Sequence, residues 1–111
     1  VLSSVHTQAY NHSIGTQKTA IRTIETAMDQ YHTYRCDWTP YAVRGYFDDQ
    51  LVFIFVNEGK GPGKWPFDKK FHLLLNIAVG GNWGGAQGVD DTVFPATMEI
   101  DYVKVYKMKP L

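Results

Sequence analysis

The chain has 111 residues, with 11 Lys and Arg balanced by 11 Asp and Glu, which leaves room for one ordinary domain and not two. A net charge of zero lacks the clustered positive face of a nucleic-acid binder, and a hydrophobic content of 44% excludes a disordered tail. No apolar run approaches the ~20 residues of a membrane span. Val1 is not an initiator Met and no charged-then-apolar leader opens the chain, so a mature or truncated start is expected.

Residues 1–10 alternate in a period of two and predict a strand on which His6, Gln8 and Tyr10 project together. Residues 11–18 hold Asn, Ser, Gly and Thr and predict a loop, residues 19–24 a short strand, and residues 24–30 at most a helical turn. In residues 32–38, His32, Tyr34, Cys36 and Trp38 alternate with Thr33, Arg35 and Asp37, and Thr39-Pro40 ends the strand. Residues 42–47 and 51–56 flank Asp48-Asp49-Gln50, a hairpin signal, and the glycine-rich residues 57–64 follow as loop.

Residues 71–79 form a near-continuous apolar run broken by Asn76, and predict a buried strand. Gly80-Gly81-Asn82-Trp83-Gly84-Gly85 is a loop bracketing one Trp, and residues 97–107 predict a terminal strand. Aromatics (3 Trp, 7 Tyr, 6 Phe) favour strands and 10 Gly favour turns. The total is about six or seven strands, which means an all-β antiparallel sandwich across one domain, residues 1–111. Cys36 and Trp38 are expected in its core, and Asp37, Asp48, Asp49 and Asp68 at turns and in solvent. A single Cys forms no intrachain disulfide and no thiolate zinc site by itself, and the four histidines lack an HExxH-like spacing.

His32-Thr33-Tyr34 with Asp37-Trp38-Thr39-Pro40 resembles the HxYxxxWxP strand of glycoside hydrolase family 16, the laminarinase and lichenase group. Phe47-Asp48 into Gln50-Leu51 is similar to its YVDGxL hairpin. Trp65-Pro66-Phe67-Asp68 and residues 71–85 are similar to the WPFDxxFxLxLNxAVGGxWxG stretch of the endo-β-1,3-glucanases. Phe94-Pro95-Ala96 and residues 98–106 resemble the closing strand. Two positions depart from the pattern: Asp49 stands where the hairpin usually has Gly, and Gly45 where the strand often carries Trp.

The resemblance implies half of a jelly-roll sandwich, the C-terminal part of a β-1,3-glucan hydrolase. The family's catalytic carboxylates lie on one E-x-D-x-x-E or E-x-D-x-E strand, shortly before the segment where this chain begins. Nothing here supplies that pattern. Glu99-Ile100-Asp101 has the E-x-D spacing, but its third position is Val103 or Lys104, and by order it matches the closing strand. No catalytic residue is therefore expected. Were hydrolysis observed, Glu99 and Asp101 would be the first carboxylates to test.

By family position, His6, Gln8 and Tyr10 follow the catalytic strand and are expected to contact sugar, with ordinary exposed strand polarity as the alternative. Asn76 is expected in the cleft or as a satisfied structural amide. Trp83 and Trp65 are expected as stacking platforms for glucose rings or as anchors packed on the core. Asp101 matches an aspartate that helps hold a structural calcium in many members. Calcium takes six to eight oxygens, and the family's other ligands come from the N-terminal half.

No cofactor is otherwise required. Three functions stay open: a β-1,3-glucan hydrolase whose carboxylates come from another chain, a non-catalytic β-glucan-binding module, and a truncated structural fragment. Half a sandwich exposes edges and apolar faces, so a homodimer or a complementary N-terminal half is expected as partner. A polysaccharide substrate implies a secreted protein, with no nucleic-acid or membrane partner.

Overall fold

A strand persists only where a neighbour completes its ladder of backbone hydrogen bonds. In a computed structural model describing residues 1–110, paired strands occur in the first of two units, Val1–Phe71, and none occurs among the described residues of the second, which begins at His72.

The strands of the first unit all pair antiparallel, and one 3-10 turn, His12–Ile14, lies between the first two. Strands β1 (Leu2–Val5) and β2 (Lys18–Ile21) pair from Leu2↔Ile21 to Val5↔Lys18. Backbone bonds between Val1 and Arg22 (2.7 and 2.8 Å) extend this ladder by one residue, and Ser4 and Thr19 hydroxyls meet across it at 2.7 Å. Strands β3 (Tyr34–Trp38), β4 (Ala42–Phe47) and β5 (Gln50–Val56) form a second sheet in the order β3-β4-β5.

The β4–β5 loop is two residues, one shorter than predicted, because Gln50 already pairs with Phe47. Asp48 (φ 45°) and Asp49 (φ 65°) both lie in the left-handed region, as the primed turns of tight hairpins require. A register shift at Gly45/Tyr46 leaves Val52 as the extra residue of a bulge.

Val5 of β1 packs with Phe53, Phe55 and Trp65, joined at the margin by Tyr10, Ala20, Val43, Val52 and Phe67. Trp65 stacks on Phe55 at 5.6 Å, and Phe67 meets both rings edge-on. Gly45 permits the close approach of the two sheets. A Cβ there would lie 3.3 Å from Phe53 Cβ and 3.5 Å from Ser3 Oγ. The volume that a Trp would occupy is therefore taken by β1.

Four expectations are corrected. The strand of residues 1–10 stops at Val5, because Thr7–Tyr10 closes a turn through Thr7 N–H to Tyr10 O (2.7 Å) and Tyr10 N–H to Thr7 Oγ1 (3.0 Å). Cys36 lies in β3 as expected but is exposed, and Trp38 is 47% exposed. Both share a sheet face with their cross-strand partners Gly45 and Val43, yet β1 and β2 pack over β5 and leave β3 uncovered. Finally, residues 71–79 and 97–107 form no strand, because no described residue pairs with them.

The second unit contains one α-helical turn, α1 (Gly81–Gly84), and one 3-10 turn, Asp91–Val93. The Asp90 carboxylate caps the latter by accepting from Thr92 N (2.9 Å). Its apolar side chains, Leu73, Leu75, Ile77 and Val79 among them, are exposed.

Candidate functional site

The turn after β1 carries the first group of expected sugar contacts. His6 is exposed, with its ring edge-on to that of His12 at 5.3 Å. Gln8 is exposed beside Gly63, and Ala9 N–H donates to Gly63 O at 2.9 Å, so the turn is tied to the loop before Trp65. As a turn, this segment does not present His6, Gln8 and Tyr10 as one strand face.

Tyr10 is the most engaged of the three. Its ring meets Phe55 edge-on at 5.9 Å, its hydroxyl donates to Glu58 Oε1, and the ammonium groups of Lys18 and Lys64 lie 4.5 and 5.4 Å from its centroid. Lys64 and Lys60 reach Glu58 Oε2 at 3.4 and 3.7 Å. The Tyr10 hydroxyl first, then Lys64, holds the Glu58 carboxyl below its usual range, and Lys64's own contacts with Tyr10 and then Glu58 hold its ammonium above the ordinary value. Sequence reasoning missed Glu58, Lys18 and Lys64, because no spacing signal links residues that meet across 48 positions.

Trp65 is buried at 6% exposure as part of the aromatic core, and takes the anchor arrangement. Trp83 is 82% exposed on the single turn α1. Glycines shape that turn: Gly80 (φ 73°) and Gly81 (φ 77°) are left-handed, and a Cβ on Gly85 would lie 2.7 Å from Gly81 O. Gly85 N–H to Gly81 O (3.0 Å) and Ala86 N–H to Trp83 O (3.2 Å) close it. An indole held out in solvent in this way offers an open aromatic face to a ligand. Asn76 is exposed and its amide makes no hydrogen bond with another described residue.

A second polar group sits at the hairpin turn. Asp48 Oδ1 accepts from Thr33 N (2.8 Å), and Oδ2 meets His32 Nδ1 at 2.6 Å. His32 Nε2 faces Thr26 Oγ1 (2.9 Å) and Thr26 O (3.1 Å). The Thr33 N–H, followed by His32, holds the Asp48 carboxyl below its ordinary value. His32 and Asp48, with Arg22 and Gln50, border a pocket of about 330 Å³.

Residues 1–104 match the sequence profile of glycosyl hydrolases family 16. The chain belongs to that family. It is 47% identical to a β-glucanase of Rhodothermus marinus, over 96% of this chain and 39% of that protein. Among solved structures, the laminarinase of Rhodothermus marinus superposes with a TM-score of 0.80 at 47% identity, over 85% of this chain and 39% of the other. SCLam, a non-specific endo-β-1,3(4)-glucanase, gives a TM-score of 0.79 at 43% identity over 85% of this chain and 36% of its own, in a variant co-crystallised with 1,3-β-D-cellotriosyl-glucose. The fold is therefore the family's all-β antiparallel sandwich, and this chain spans about two fifths of the length of these relatives.

Within this family 16 chain, Glu99 and Asp101 fall in the exposed segment that forms no ladder. Among the described residues no group of three or more His, Cys, Asp and Glu gathers that could hold a metal ion. One aspartate cannot furnish the six to eight oxygens of a calcium site, so the residues present do not by themselves fit that ion.

Proposed function

We propose that this chain forms the sugar-binding wall of a family 16 β-glucan hydrolase acting on β-1,3-linked glucan, and that the catalytic carboxylates come from outside it. The observation that carries this reading is the family match over residues 1–104, with 47% identity to a β-glucanase. Retaining glycosidases need two carboxyls about 5–5.5 Å apart, one as nucleophile and one as acid and base. This sequence has no E-x-D-x-x-E or E-x-D-x-E strand to supply them.

In this reading the second unit offers Trp83 for stacking on a glucose ring and Asn76 for hydrogen bonds to sugar hydroxyls, and the first unit offers sugar contacts of its own at His6 and Gln8 of the β1 turn. Tyr10 orients that turn through Glu58, and Trp65 supports it from below. In the same reading the wall works with a complementary half or a second copy, and a polysaccharide substrate supports secretion of the whole protein. Any structural calcium at Asp101 would draw its remaining oxygens from that partner. The second reading, a non-catalytic β-glucan-binding module, rests on the same missing strand.

Two assays on the 111-residue chain separate these readings. Retention on insoluble β-1,3-glucan is expected, and Trp83→Ala is expected to abolish it; equal retention of the variant would overturn the assigned wall. Release of reducing ends from laminarin is expected only after a complementary half is added. Release by the chain alone, lost in Glu99→Gln, would move the catalytic centre into this segment.

A further inference from the structure

We propose that the pocket between Trp38 at the end of β3 and residues 65–70 is a second sugar-contact site, which takes a hexopyranose ring against the exposed indole of Trp38. The pocket has a volume of about 590 Å³, within the range of about 300–1,000 Å³ typical of small-ligand sites. Its lining includes Trp38, Pro40, Asn57, Asp68, Lys69 and Lys70. The inference rests on the reading that this domain handles β-glucan. Trp65, the stacking candidate expected by family position, also lines the pocket but is buried in the core, so the exposed indole on offer is that of Trp38, which the sequence reads as core.

The aromatic wall is fixed before any ligand arrives. Trp38 Nε1 donates to Phe67 O at 2.8 Å, and the indole meets Phe71 edge-on at 5.7 Å. Asn57 is fixed as well: its Nδ2 donates to Pro40 O (3.1 Å) and its Oδ1 accepts from Gly59 N (2.9 Å). A wall held in this way loses little conformational freedom on binding.

The rim carries the opposite chemistry. Asp68, Lys69 and Lys70 are exposed, and none makes a hydrogen bond or ion pair with another described residue. A pyranose presents an apolar C–H face and a belt of hydroxyl groups. The indole matches the face, the Asp68 carboxylate accepts from hydroxyls, and the two ammonium groups donate to them. A protein partner packed on the same pocket would have to desolvate three unpaired charges, which the interior of an interface disfavours.

The test is a titration of the ¹⁵N-labelled full chain with a β-1,3-linked gluco-oligosaccharide, at fixed protein concentration, following the indole N–H signals. The Trp38 and Trp83 signals are both expected to move. Asp68→Ala and Lys70→Ala, exposed positions outside the core, are each expected to weaken the Trp38 response about tenfold and leave the Trp83 response intact. A Trp38 signal that stays still while Trp83 moves, or that responds equally in both variants, overturns this second site and leaves the proposed function standing. If neither signal moves, the glucan reading fails and this site falls with it. A Trp38 signal that follows protein concentration instead of sugar assigns the pocket to a second copy and overturns the inference.

Discussion

At the scale of single residues, Asp48 carries the most local consequence. One carboxylate accepts the Thr33 N–H, pairs with His32, and sits at a left-handed position of the hairpin turn, so a charge and a backbone conformation depend on the same side chain. Its folded pKa is depressed, so its contribution to stability is complete above the unfolded value of about 4 and is lost as pH falls through the folded value. Urea midpoints measured stepwise from about pH 6 to about pH 3 are expected to fall in the wild type. Asp48→Asn is expected to lower the midpoint at pH 6 and to flatten the acid limb. An unchanged acid limb would show that the pair with His32 and Thr33 does not form in solution.

The sequence made Asp48 and Asp49 legible as turn residues from the hairpin spacing, and the resemblance marked Asp49 as standing where the hairpin usually has Gly. It did not reveal the bond to His32 across 16 positions, which depends on how β3 lies beside β4.

At the scale of elements, the division between what could and could not be read follows the distance between partners. The β4–β5 hairpin is local, and its bounds were legible to within one residue at the turn. Residues 71–79 have the apolar pattern of a buried strand, but a pattern states a preference and the ladder must come from elsewhere. The same reasoning applies to Cys36 and Trp38, whose sheet face was legible while the extent of its cover was not.

Gly45 shows this dependence at its sharpest. The sequence marked it as missing volume, and the structure fills that volume with Ser3 of β1. Gly45→Ala would set its Cβ 3.3 Å from Phe53 Cβ, inside normal packing distance, and Phe53 belongs to the core. The variant is expected to lose about 1–3 kcal/mol by urea denaturation, the usual cost of overpacking. No loss would mean that Phe53 and Ser3 yield to the added methyl group without cost.

For the whole molecule, the deciding quantity is surface. In the second unit Leu73, Leu75, Ile77, Val79, Val103 and Val105 are all exposed, a set of apolar side chains without cover among the described residues. Apolar surface of this extent does not persist in water without a partner. The residues that expose it are those whose sequence calls for a strand and which lack a ladder. Pairing such segments about a two-fold axis would supply backbone partners and cover the apolar face together, and closed two-fold dimers are the commonest assemblies. Light scattering on the purified chain at tens of micromolar is therefore expected to give a mass near twice 12.6 kDa, with a urea midpoint that rises with protein concentration. A single species at the monomer mass, with a midpoint independent of concentration, would overturn self-association.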